Sequence, residues 1–129
     1  MNDIFAQIQK ISKKITPPYF QRIEVDEGWY QLVIDCDAEL SQIDLNYSLF
    51  QVKEKFGGLR YYFQSSDPSF QDEMDAVVAK YEELAARTCE VTGNPGVLMK
   101  SPGNWYKTLS PEYAESKLYY AKYKPVEKK

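Results

Sequence analysis

Residues 46–65 read NYSLFQVKEKFGGLRYYFQS, and the periodicity of this stretch decides the fold class. Residues that favour extended chain lie on both sides of Gly57-Gly58, the pattern of two strands joined by a tight turn. Successive side chains of a strand point to opposite faces. The second strand therefore places Leu59, Tyr61 and Phe63 on one face and Arg60 and Tyr62 on the other. An apolar face of that kind needs a cover, and the flanking sequence supplies helices.

Upstream, Ile4, Phe5, Ile8, Ile11 and Ile15 recur at helical spacing, and Thr16-Pro17-Pro18 ends that helix. After the short extended piece RIEVDEG, Trp29, Leu32, Val33, Cys36, Leu40 and Ile43 form a second stripe, which assigns Cys36 to packing rather than reactivity. Downstream, Asp67-Pro68 opens a long helix with Phe70, Met74, Val77, Val78, Tyr81, Leu84 and Ala85 on one face. Two brief strands follow, around Val97 to Met99 and in NWYKTL. Ser110 as N-cap with Pro111 and Glu112 behind it starts a last helix through about Tyr120. The tail YYAKYKPVEKK alternates aromatic and basic residues and is expected to fray. The expectation is an α+β fold: a small antiparallel sheet, made of the hairpin and short C-terminal strands, packed against about four helices. One domain spans 1–129, with an N-terminal helix and turn in 1–22, helix, hairpin and long helix in 23–88, a knuckle in 89–113, and a helix and basic tail in 114–129.

A chain of 129 residues is the size of one ordinary domain, and 43% hydrophobic with 27% charged residues is a globular composition. Eleven tyrosines suit a partner-binding surface and suit half-buried core positions equally well. No run of eighteen apolar residues occurs, and Met1 to Lys14 is too charged for a secretory h-region, so a cytoplasmic protein without membrane association is expected. Two cysteines in different elements, Cys36 and Cys89, are then free thiols, although a disulfide between them stays open. The net charge of −3 is unevenly spread. Residues 1–22 hold four bases against one acid, 23–90 five against fifteen, 91–116 two against two, and 117–129 five against one. An acidic middle between basic ends disfavours duplex nucleic acid as a partner.

The stretch TCEVTGNPG, from Thr88 to Gly96, has the outline of half a zinc knuckle with Thr92 where a second cysteine would stand. Taken in order, GWYQLVI, VKEKFGGLRYYF, TCEVTGNPG and WYKTLSPEY resemble a family of small, uncharacterised proteins of phages, prophages and bacteria. Members carry a Gly-Trp helix start, a KEKFGGLR hairpin, a long helix and a C-terminal segment of the form C-E-x-C-G-x-P-G, then W-x-x-T-L-C and a histidine. The resemblance covers about residues 28 to 113. It implies four ligand positions, which here are Cys89, Thr92, Ser110 and Tyr113. Three of the four are hydroxyl side chains, poor zinc ligands at neutral pH, and the chain has no histidine to substitute. The resemblance thus implies a degenerate knuckle, with no metal and no cofactor expected, in which hydrogen bonds and packing replace coordination.

The absence of histidine also removes the usual general base and the Ser-His and Cys-His nucleophile pairs, and no phosphate-binding glycine loop appears. Cys89 near Arg87 lacks a base. The acids Asp72, Glu73, Asp75, Glu82 and Glu83 of the long helix suit a solvated face better than a carboxylate active site. Two non-enzymatic readings remain. In one, the acidic face binds a host protein, as an inhibitor encoded by a phage or mobile element would to block a defence or nucleic-acid-handling complex. In the other, Lys53, Lys55, Arg60, Tyr62 and the Lys-Tyr tail form a platform for single-stranded nucleic acid. Open hairpin edges leave a homodimer beside a monomer.

Overall fold

The computed structural model describes residues 3–126. Helix α1 (Ile4–Ser12) begins at Asp3, whose carboxylate accepts from the Phe5 and Ala6 N–H groups at 3.0 and 3.3 Å, and it buries Ile8 and Ile11. It stops before the Thr16-Pro17-Pro18 signal. Ile15, the last residue of the expected stripe, has left the helix and forms an isolated bridge to Leu49. A short extended segment, β1 (Ile23–Glu24), and a 3-10 turn (Glu27–Trp29) lead into α2 (Tyr30–Ile43), which buries Val33, Cys36 and Leu40. At the end of α2, buried Asp44 accepts from the Ser66 N–H and hydroxyl, each at 2.7 Å, and from the Asn46 N–H at 3.1 Å. Those donors, the Ser66 amide foremost, hold its carboxyl below the usual range.

The hairpin is β2 (Ser48–Lys55) and β3 (Gly58–Gln64), antiparallel, with Lys53 opposite Arg60 and Gln51 opposite Tyr62. Its turn is one residue earlier than the glycine pair indicates. Gly58 already pairs with Lys55, and the two turn residues are Phe56 and Gly57, at φ +54° and +82°. Positive φ at both central positions is what a two-residue hairpin turn of type I′ needs. Gly57 meets it without strain, whereas Phe56 does not. Helix α3 (Gln71–Ala85) starts after Asp67-Pro68 and buries Met74, Val78, Tyr81 and Ala85 against α2 and β3.

The hairpin and the C-terminal strands form two separate sheets instead of one. The first has the order β1-β2-β3, with β1 parallel to β2. The second has the order β5-β4-β6 and is antiparallel, from β4 (Val97–Lys100), β5 (Tyr106–Leu109) and β6 (Lys124–Pro125). The last helix, α4 (Pro111–Ser116), ends sooner than expected, and a 3-10 turn (Leu118–Tyr120) follows. The tail then pairs instead of fraying: the Val126 N–H donates to the Leu98 carbonyl at 2.9 Å. The final part of the expected basic tail, residues 127–129, lies outside the described residues. The molecule is α+β, and among the described residues no helix is long and apolar enough to cross a membrane.

Two cores result. The larger joins α1, α2, α3 and the first sheet around Trp29, Leu40, Leu49, Val52 and Met74. The smaller gathers Cys89, Met99, Leu109 and Ala114 beneath Val91, Tyr113, Tyr120 and Tyr123. Several tyrosines belong to packing with their hydroxyls satisfied. Tyr47 donates to Asp37 at 2.6 Å and lies 2.6 Å from the Tyr61 hydroxyl, and Tyr81 donates to Glu39. Burial pushes the Tyr47 and Tyr61 hydroxyls well above their ordinary range.

Candidate functional site

The knuckle is a closed loop of backbone bonds. Cys89 N–H donates to the Asn94 carbonyl at 2.7 Å, Gly93 N–H returns to the Cys89 carbonyl at 2.9 Å, and Gly96 N–H reaches the Arg87 carbonyl at 2.9 Å. A β-carbon on Gly96 would stand 2.7 Å from the Cys89 nitrogen, so the loop closes this tightly only with glycine there. Two pairs of the ligand positions that the resemblance implies are in contact. The Thr92 N–H points at the Cys89 sulfur, 3.4 Å away, and the Ser110 hydroxyl accepts from the Tyr113 N–H at 3.1 Å as the N-cap of α4. The Thr92 hydroxyl accepts from the Asn94 N–H at 3.2 Å. Burial alone would push the Cys89 thiol up, but donors from Thr92 and the Ser110 and Val91 amides outweigh it and hold the thiol below its ordinary value. The Thr92 amide is thus directed at a buried sulfur. Only one soft donor is present. Among the described residues no group of three His, Cys, Asp or Glu is placed to hold an ion, and the hydroxyls of Thr92 and Ser110 are engaged with backbone. Cys36 and Cys89 are both free and buried. Burial drives Cys36 far above the usual thiol range.

The knuckle is pinned to the larger core by the residues just before α2. Trp29, fully buried, donates its indole N–H to the Thr88 carbonyl at 2.8 Å. A β-carbon on Gly28 would overlap the Cys89 and Glu90 carbonyl oxygens. The Gly-Trp pair is thus the contact surface for the knuckle as well as a helix start. Alongside, the Lys107 ammonium lies between Asp26 at 2.9 Å and Glu90 at 3.0 Å, and the other Glu90 oxygen accepts the Asp26 N–H at 3.0 Å. Burial raises the Glu90 carboxyl above its ordinary value. Burial would lower Lys107, but the two carboxylates reverse that and hold its ammonium charged above its ordinary range. At the hairpin end, the buried Thr108 hydroxyl donates to the Gly57 carbonyl at 2.8 Å, joining the two sheets.

Beside this seam opens a cleft of about 850 Å³. Residues 22–26 run along it together with Glu27, Glu54, Glu90 and Lys107, and Phe5, Tyr30, Tyr113 and Tyr120 supply its rings. Phe5 and Tyr30 meet edge to face at 5.8 Å, and Tyr113 and Tyr120 lie 6.0 Å apart. Five carboxylates face two cations here, and the cations are Arg22 and Lys107.

The acids of α3 divide. Asp72, Glu73, Asp75 and Glu83 are exposed, and Glu83 pairs loosely with Arg87 at 3.6 Å. Glu82 belongs elsewhere: it flanks the buried stripe, accepts the Tyr61 N–H at 3.3 Å from the outer edge of β3, and is pushed up by burial. Arg60 and Tyr62 are exposed on β3 as the alternation requires. Their face is mixed in charge, because Glu24 of β1 registers with Lys53, which registers with Arg60. Past it, Phe56 and Trp105, 68% and 74% exposed, border a groove of about 460 Å³ with Lys55 and Tyr106.

Sequence reasoning missed the cleft. Its acids come from β1, the turn before α2, β2 and the knuckle, and no local charge run joins them. The excess of acids in residues 23–90 was the one available signal. No family model, no curated protein and no solved structure matches the chain.

Proposed function

We propose that this protein is a non-enzymatic interaction module that binds a basic surface of another protein. In the setting the resemblance implies, it is an acidic inhibitor encoded by a phage or mobile element, and it covers a phosphate-binding groove of a host defence or nucleic-acid-handling complex. The observation that carries this reading is the uncompensated charge. Of the fifteen acids in residues 23–90, five have an ion-pair partner among the described residues: Asp26, Asp37, Glu39, Glu83 and Glu90. The others include Asp72, Glu73 and Asp75, side by side on exposed helix. Exposed carboxylates left without ion-pair partners cost little in water, and they steer a cationic partner and raise its association rate.

Affinity capture from host lysate tests this, comparing the wild type with the Asp72→Lys/Glu73→Lys/Asp75→Lys variant. A specific, salt-sensitive protein retained by the wild type and lost or weakened in the variant is expected. Capture of nothing by either chain would defeat the reading. A second reading, single-stranded nucleic acid binding, is favoured by one observation, the exposed Phe56 and Trp105 near Lys55, which extend the Lys53, Arg60 and Tyr62 face with stackable rings. Glu24 and Glu82 beside that face weigh against it. A gel shift at low salt decides: no retarded strand at micromolar protein removes it.

A further inference from the structure

We propose that the cleft beside β1 is the docking site for an extended, arginine-bearing segment of the protein partner, which adds as a strand to the open edge of β1. This rests on the acidic-interaction reading above and names where on the molecule it is carried out.

The first observation is backbone. In the first sheet β1 has a single strand neighbour, β2, so its other edge is open to a strand between Ile23 and Val25; at the ends of the run the Arg22 N–H donates to the Phe20 carbonyl and the Asp26 N–H to Glu90. All of residues 22–26 line the cleft although the Ile23 and Val25 side chains are buried. What this run shows to the cleft at Ile23 and Val25 is therefore main chain, the surface that an added strand reads.

The second observation is charge. The floor already holds one ammonium, that of Lys107, between two carboxylates at 2.9 and 3.0 Å. Toward it Glu24, Glu27 and Glu54 contribute three more carboxylates with no ion-pair partner among the described residues. Lys107 and Arg22 are the resident cations against five carboxylates, of which Glu54 also accepts the Gly57 N–H at 2.6 Å, so negative charge is left for another cation. A phosphate-bearing ligand would be repelled by the same groups. The third observation is shape and surface. A volume of about 850 Å³ holds a long side chain together with the backbone that carries it, and Phe5, Tyr30, Tyr113 and Tyr120 offer ring faces. A planar guanidinium stacks on such faces and forks onto carboxylates better than an ammonium does, which favours arginine over lysine and over a free polyamine.

The test uses isotopically labelled full-length protein and three probes: an end-blocked octapeptide alternating arginine and valine, its glutamate counterpart, and spermidine. Amide signals of residues 22–26 are expected to move with the arginine peptide and to stay with the glutamate peptide, while spermidine binds at least about tenfold more weakly because it has no main chain to pair. The Glu24→Gln/Glu27→Gln variant, altered at exposed positions, is expected to weaken the arginine peptide about tenfold, and Asp72→Asn/Glu73→Gln to leave it unchanged. Equal binding of spermidine and peptide, wild-type affinity in the Glu24/Glu27 variant, or shifts confined to α3 would each overturn the proposal. If the peptide fails in this way while lysate capture still depends on the α3 acids, the cleft assignment is wrong and the acidic-interaction reading stands.

Discussion

At Gly28 the chain has no room for a side chain, because the next layer is knuckle backbone: a β-carbon would overlap the Cys89 and Glu90 carbonyl oxygens. Backbone cannot yield as a flexible side chain would, so Gly28→Ala is expected to lose about 3 kcal/mol, measured as a lower urea midpoint. A helix propensity scale would assign this substitution the opposite sign. Lys107 makes a second case. With its ammonium removed in Lys107→Met, Glu90, 2% exposed, is left as a buried carboxylate with one amide donor, at a cost of about 3–5 kcal/mol near neutral pH. Burial already raises Glu90 above its ordinary 4.5, and the variant raises it further. A carboxyl raised in the folded state binds its proton more tightly folded than unfolded, so stability is gained as pH falls through the folded value toward 4.5. The penalty of Lys107→Met should therefore shrink as pH falls from neutral toward 4.5, seen in denaturation curves across that range. Gly28 and Glu90 stood in the sequence within the Gly-Trp and Cys-Glu motifs. Their meaning was hidden because each is defined by a partner about sixty residues away, and periodicity carries no information about such pairs.

Elements were legible wherever one face is buried along many residues. The stripes of α2 and α3 follow from their spacing, and the alternation of β3 places Arg60 and Tyr62 outside as expected. Boundaries set by nonlocal pairing were not legible. The turn moved to Phe56-Gly57 because strand register, fixed by Val52 opposite Tyr61 in the core, outranks the preference of glycine for both turn positions. Phe56, exposed and at φ +54°, then carries strain without burial in return. Asparagine tolerates that conformation, so Phe56→Asn should gain about 0.5–1 kcal/mol, read as a higher thermal midpoint. The knuckle allows a larger change. Its loop, its amide donors to sulfur and the N-cap at Ser110 are all in place around one thiol. Thr92→Cys, Ser110→Cys and Tyr113→His together are expected to bind one zinc per chain and to make the thermal midpoint sensitive to chelator. Metal analysis of the purified triple variant against the wild type checks this, and a variant that folds yet takes up no zinc would show that the four positions do not converge closely enough.

On the scale of the whole molecule, the strands expected to form one sheet are split between two, and each sheet has its own core. Four buried apolar residues, Cys89, Met99, Leu109 and Ala114, are too few to sustain the second core alone. What sustains it is the seam: the Trp29 indole on Thr88, Gly28 against the knuckle, Lys107 between Asp26 and Glu90, and Thr108 on Gly57. All of these contacts but the Lys107–Asp26 pair are buried or partly buried, so the second core opens only by exposing them together. The molecule should then unfold as one unit despite its two cores. In native-state hydrogen exchange, the slowest amides of β4 and β5 should open with the same free energy as those of α3. Trp29→Phe, which keeps a ring but removes the N–H held by Thr88, should lower both by the same amount. If β4 and β5 instead exchange at a lower free energy that Trp29→Phe leaves untouched, the knuckle region is an independent unit and the one-domain reading fails.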